Sequence, residues 1–240
     1  VDFAVAALLS SGHALIEGVP GTAKTLLVRT IAAALNMRFQ RVQMTPDLLP
    51  GDITGSSIYR EDTHSFEFKP GPVFSNFLLA DEINRASART QAALLEAMQE
   101  LTVTYDGVVH PLPQPFICFA TQNPVEQEGT YPLPLAQLDR FMFKILVTYP
   151  QPEEEDRVLR EHHATGSASS PSQLGVNPVV VPEAVIEARE TIRETFVRDE
   201  MIHYVRRLVQ ATRDDDSFAV GCSPRAGLLL LMAAKCFARF

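Results

Sequence analysis

Apolar residues follow two different rhythms along the 240-residue chain. Short apolar runs cover residues 14–16, 76–80, 116–120 and 141–147, and residues 39–44 alternate. Runs of this length fit strands buried on both faces of a parallel sheet. Between them, apolar residues recur every three or four positions: over residues 2–10, at Leu26, Leu27, Ile31, Ala34 and Leu35, and over about 88–99. Four or five parallel strands interleaved with helices predict an α/β sheet sandwiched between helices. Two excursions interrupt it. Residues 56–60 and 65–68 predict one hairpin, and residues 102–105 and 108–110 predict another around Asp106-Gly107, a favoured two-residue turn. Past Tyr149-Pro150-Gln151-Pro152 the rhythm is helical only, over about 153–163, 183–195, 199–213 and from Pro224 onward. The division expected is an α/β core with inserted hairpins at 1–149 and a small all-helical domain at 150–240. Residues 166–178, rich in Ser, Gly and Pro, read as a mobile linker.

The first strand and the second helix enclose Gly18-Val19-Pro20-Gly21-Thr22-Ala23-Lys24-Thr25. Strand, glycine-rich turn, Lys-Thr and helix form the arrangement that cradles nucleotide phosphates. Backbone N–H groups and the helix dipole both favour an anion there. Residues 18–26, through Leu26, are the candidate nucleotide-binding stretch. Lys24 would reach the β- and γ-phosphates, and Thr25 would ligate Mg²⁺. Ala23 stands where the common pattern has glycine; it is expected to begin the helix with negative φ, where a methyl group is tolerated.

Asp81-Glu82 ends the apolar run at 76–80, at the carboxyl edge where open α/β sheets bind ligands. Asp81 is the candidate metal ligand, through the metal's water shell. Glu82 is the candidate residue to orient and polarise an attacking water. Asn123 follows the next buried run. A neutral amide there could bridge phosphate and water; the other reading is a plain Asn-Pro turn. Arg140, in Leu138-Asp139-Arg140-Phe141, offers a permanently charged planar fork for transition-state phosphate charge. A salt bridge with Asp139 or a neighbour is the alternative. Ser223-Pro224 reads as an N-cap and first helical residue. Arg225 then opposes the helix dipole, which suggests a functional reason beside that of an ordinary surface arginine.

Composition narrows the picture. Net charge is −8, from 29 acidic and 21 basic side chains. An acidic balance counts against duplex nucleic acid as main partner, because phosphate neutralisation needs a basic face. Three cysteines, with no C-x-x-C, suggest a reducing cytosol, no disulfide framework and no zinc site. No apolar run is long enough for a membrane span. No signal peptide is visible, and Val1 and Phe240 both fall inside apolar helical patterns, so both ends read as trimmed.

Together these stretches resemble the MoxR family of AAA+ ATPases. The matching residues are the phosphate loop with its Ala23, Gly71-Pro72-Val73-Phe74, Leu79-Ala80-Asp81-Glu82-Ile83-Asn84-Arg85-Ala86, and residues 91–100. Further on come Ala120-Thr121-Gln122-Asn123-Pro124, residues 128–134, Leu138-Asp139-Arg140-Phe141 and Ser223-Pro224-Arg225-Ala226. The resemblance implies a P-loop core and helical lid, ATP and Mg²⁺ as cofactors and a hexameric ring, to which the cysteine usage adds the expectation of a cytoplasmic location. It implies a chaperone-like action on protein clients or metalloenzymes, with a partner carrying a von Willebrand factor A domain. It makes Asn123 the sensor-1 residue, Arg140 the arginine finger and Arg225 the sensor-2 arginine, acting on its own or a neighbour's nucleotide. Residues 52–69 and 102–112 match hairpins that face the ring pore. Other functional classes compatible with the motifs are a DNA-stimulated helicase-like motor, a chelatase motor subunit and a nucleotide-binding scaffold.

Overall fold

In a computed structural model, residues 1–62, 64–123, 129–165 and 171–239 are described, apart from the side chains at 161, 162, 164 and 165. The chain runs α1 (Asp2–Leu9), β1 (Ala14–Gly18), α2 (Lys24–Ala34), β2 (Phe39–Gln43), α3 (Pro50–Thr54), β3 (Gly55–Arg60), β4 (Ser65–Pro70) and β5 (Phe77–Asp81). A 3₁₀ turn at Ile83–Arg85 leads to α4 (Ala88–Glu100), β6 (Thr102–Tyr105), β7 (Val108–Pro111), β8 (Ile117–Gln122), α5 (Leu135–Leu138) and β9 (Phe143–Val147). Four helices follow among the described residues: α6 (Pro152–Thr165), α7 (Pro182–Arg193), α8 (Asp199–Asp214) and α9 (Pro224–Phe237).

Five parallel strands form the main sheet in the order β2-β5-β8-β1-β9. Side chains alternate across each strand, and the core divides accordingly. Leu15, Leu78, Ala80, Cys118 and Ala120 face one layer, closed by Leu94, Leu95 and Met98 of α4. Ala14, Ile16, Phe77, Leu79, Ile117 and Phe119 face the other, closed by α1 and α2. Strands β5 and β8 are central and almost wholly buried, which is why their sequences carry no polar alternation. The edge strand β2 does alternate, with Gln40, Arg41 and Gln43 kept at least partly in solvent.

Both expected hairpins form, β3 with β4 and β6 with β7. They lean on each other: Phe68 stacks on His110 at 4.2 Å between ring centres, and Ser57 N–H donates to Tyr105 Oη at 3.3 Å. The last strand starts at Phe143 rather than at residue 141, because Phe141 turns into the core ahead of it. Helices α3 and α5, four to five residues each, are too short to show a helical period.

The helical part packs on α1 and the β9 edge. Phe3 meets Phe143 and Phe237 at 5.3 and 5.8 Å between ring centres. Ala6, Ile192 and Cys236 share a buried cluster. Buried Arg189 of α7 donates from Nε to Leu8 O at the end of α1, at 2.8 Å. Of the linker expected at 166–178, residues 166–170 lie outside the described residues, as do 124–128 from the stretch after Asn123.

Candidate functional site

The phosphate loop leaves β1 at Gly18, where β9 runs alongside. A Cβ on Gly18 would lie 2.4 Å from Val147 O, so only glycine fits. Gly21 has φ +81°, open to glycine without strain. Ala23 departs from expectation. It has φ 57° and ψ 23°, and the helix begins only at Lys24. The turn therefore extends one residue further than the helical pattern suggests, and Ala23 occupies the left-handed region at a cost of roughly 1–2 kcal/mol. Lys24 Nζ donates to Gly18 O at 2.8 Å and Val19 O at 2.6 Å, and Thr22 Oγ1 also donates to Val19 O. Burial pushes the Lys24 ammonium below its usual pKa, while the charges of Asp81 and Glu82 act in the opposite direction.

At the end of β5 the two carboxylates are held differently. Asp81 Oδ1 accepts from Thr121 Oγ1 at 2.5 Å. Its Oδ2 accepts from Arg41 Nε at 2.9 Å and Nη2 at 2.5 Å. Glu82 adopts φ 58°, ψ 51°, and its N–H donates to the same Thr121 oxygen at 2.8 Å. That left-handed kink turns its side chain out of the strand direction. Glu82 Oε2 then accepts from Gln43 Nε2 at 2.6 Å and Arg85 Nη1 at 3.0 Å.

These elements converge because β1, β8, β5 and β2 are neighbours and all end on one edge. One cleft of about 520 Å³ is lined by residues 20–26, Asp81, Glu82, Thr121, Gln122 and Asn123. Gly18 and Val19 do not line it but supply the carbonyls that hold Lys24. Thr25 and Asp81 give a hydroxyl and a carboxylate in the same cleft, the hard-oxygen donors Mg²⁺ prefers. Arg29 and Arg41 complete the lining, and sequence reasoning passed over both. Arg29 lies one further turn along α2 from Lys24. Arg41 is one of several polar positions in the alternating edge strand β2, so its local pattern does not single it out.

Arg140 and Arg225 are not part of that lining. They meet at Gln99, near the end of α4: Arg140 Nε donates to Gln99 Oε1 at 3.1 Å, and Arg225 Nη1 approaches the same oxygen at 3.5 Å. Asp139 does not take Arg140; both its oxygens accept from Ser223 Oγ, at 2.7 and 2.8 Å. Ser223 caps α9, accepting from Ala226 N–H at 3.1 Å, with Pro224 in the first turn as the sequence predicted.

Buried His13, just ahead of β1, ties β8 to α4. Cys118 N–H of β8 donates to Nδ1 at 3.0 Å, so Nδ1 is the acceptor nitrogen and Nε2 donates to Met98 O at 3.0 Å. Met98 directly precedes Gln99. Burial lowers the His13 pKa to about 4 and keeps the ring neutral.

Comparison with known proteins agrees with this geometry. The model of the ATPase family associated with various cellular activities (AAA) matches residues 13–143, from the residue before β1 to the first residue of β9. The chain is 47% identical over 234 residues to the uncharacterized protein YeaC of Bacillus subtilis, covering 98% of this chain and 72% of that protein. It is 46% identical over 252 residues to chaperone MoxR1 of Mycobacterium tuberculosis, covering 99% of this chain and 64% of that one. A crystal structure of a Cytophaga hutchinsonii protein assigned as an ATPase superposes with a TM-score of 0.88 at 44% identity, over 99% of this chain and 73% of that chain. These alignments span both the cleft-bearing sheet and the helical part, and the chain belongs to the MoxR family of AAA+ ATPases.

Proposed function

We propose that the chain binds Mg-ATP in the cleft and hydrolyses it as one subunit of a head-to-tail ring, hexameric by family resemblance. The observation that carries this is the single cleft joining the phosphate loop, both carboxylates of β5 and Asn123. In it Lys24 exchanges its two backbone carbonyls for phosphate oxygens. Thr25 and Asp81 hold Mg²⁺, which offsets phosphate charge. Glu82 orients the attacking water and Asn123 bridges it to the γ-phosphate. Arg140 and Arg225, clustered at Gln99 and outside the cleft, act on the nucleotide of the adjacent subunit.

A ring of this kind would remodel protein clients or metalloenzyme complexes in the cytoplasm, with a von Willebrand factor A domain partner. The paired hairpins would face its pore. Tyr59 and Phe66 stand exposed on the first, 5.3 Å apart between ring centres, as surfaces for a polypeptide. Nucleic acid is a poorer fit to the acidic balance of the chain.

The test mixes two inactive variants, Arg140→Ala and Glu82→Gln. Random co-assembly at equal amounts equips roughly a quarter of head-to-tail interfaces with both residues, so ATPase activity should reappear. Silence after proven co-assembly would assign Arg140 to its own subunit, provided a single equipped interface turns over. DNA-stimulated turnover would move the reading to a helicase-like motor.

A further inference from the structure

We propose that Arg41 sets the demand of the site for Mg²⁺ by holding Asp81 in place of the metal's water shell. This rests on the reading that the cleft takes Mg-nucleotide, and concerns a residue to which that reading gives no part.

The argument starts from the lone pairs of one carboxylate. An ionised aspartate offers about four acceptor directions, two on each oxygen. Arg41 fills both on Oδ2, through Nε at 2.9 Å and Nη2 at 2.5 Å. Thr121 takes one on Oδ1. A hydrated dication approaching Asp81 has one direction left, with a guanidinium already against the carboxylate. Cation and metal compete for the same negative charge and repel each other at close range.

Arg41 cannot step aside by losing its proton, because its charge is permanent. It must swing. The fold allows that: β2 is an edge strand, and the Arg41 side chain is 48% exposed while that of Asp81 is 12% exposed. Gln43 Oε1, which accepts from Arg41 Nη2 at 2.8 Å, remains as a partner on the solvent side. The pair is thus anchored on the aspartate and loose on the arginine. Arg41 is a positioning residue in this account, acting through Asp81.

The experiment measures binding of a fluorescent ATP analogue as Mg²⁺ is raised, with a parallel series in EDTA, for the wild type, Arg41→Gln and Arg41→Lys. Removing the competitor should lower the half-saturating Mg²⁺ of Arg41→Gln by roughly threefold to tenfold, the range of a partly exposed ion pair. Arg41→Lys, a single-point cation, should fall between. Mere damage to the site would raise the requirement, so the expected direction is opposite to that of a structural lesion. An unchanged or raised Mg²⁺ requirement with the wild type still responding to Mg²⁺ overturns the inference alone. So does weakened binding of Arg41→Gln in EDTA, which would make Arg41 a phosphate ligand. A wild type that binds no analogue in either series overturns the Mg-nucleotide reading and this inference with it.

Discussion

The cleft and the Gln99 cluster carry charge in opposite ways. In the cleft, the acidic groups at the end of β5 are matched by cations close by: Arg41 of the neighbouring β2 on Asp81, and Arg85 of the turn that follows β5 on Glu82. At Gln99, two arginines from widely separated parts of the chain share one neutral amide oxygen. The nearby carboxylate, Asp139, is engaged by a serine. The cleft is thus largely balanced within its own chain, whereas the arginine cluster presents positive charge to its surroundings. A phosphate held by a second subunit would complete that side.

The largest expected effect tests this asymmetry. Arg140→Ala should bind ATP as the wild type does yet lose roughly 10³–10⁵ in turnover, as removal of an arginine finger does. Equilibrium nucleotide binding and phosphate release, measured on the same sample, separate the two. Lost nucleotide affinity without assembly would put Arg140 at its own cleft and dissolve the contrast.

Next comes the cleft itself. Glu82→Gln should reduce turnover by roughly 10²–10⁴, because the charge that polarises water is gone. Its amide can still meet Arg85 and Gln43 only in part. Near-normal single-turnover rates would remove Glu82 from the chemistry.

His13 ties the beginning of β8 to α4 next to Gln99, and acid should weaken that tie. Its folded pKa of about 4 is below the unfolded value of 6.5. The unfolded chain therefore binds the proton first as pH falls. The stability this buried neutral ring contributes is complete above about 6.5 and is lost on the way down to about 4. The shift corresponds to about 3 kcal/mol. Urea unfolding across that window should show a steeper acid loss for the wild type than for His13→Gln, in which the group does not titrate. Parallel slopes would count against the role.

The two regions were also unequally legible in the sequence. Buried strands betray themselves by continuous apolar runs, and a ligand edge follows from their ends. Asp81, Glu82 and Asn123 follow from that logic, and Lys24 and Thr25 from the glycine-rich turn between strand and helix. Arg140 and Arg225 were flagged by motif, but their meeting at Gln99 was not, since it joins positions 126 residues apart with no periodic pattern between them. Arg41 was missed for a related reason: its importance lies in β2 lying beside β5, which is sheet order, not local pattern. Ala23 was misjudged because a helical period cannot show where the turn before it ends.

The smallest effect expected is at the joint between the helical part and the Arg140 loop. Ser223 Oγ has two tasks: it accepts from Ala226 N–H to cap α9, and it donates to the Asp139 carboxylate. The carboxylate is thereby held close to a helix N-terminus, where negative charge is favoured. Ser223→Ala removes both bonds at once. The lost cap alone should lower stability by about 0.5–2 kcal/mol, or roughly 2–4 °C in Tm per kcal/mol for a chain of this size. Ser223→Thr keeps a hydroxyl that can do both and should recover most of the loss. If the joint also steers the arginines, Ser223→Ala should reduce ATPase activity below what its stability implies at 25 °C, where it remains folded. Equal melting temperatures for the wild type and both variants would mean that the hydroxyl contributes nothing. A threonine variant as unstable as alanine would assign the effect to packing around Asp139, and the link between the helical part and Arg140 would then rest on Gln99 alone.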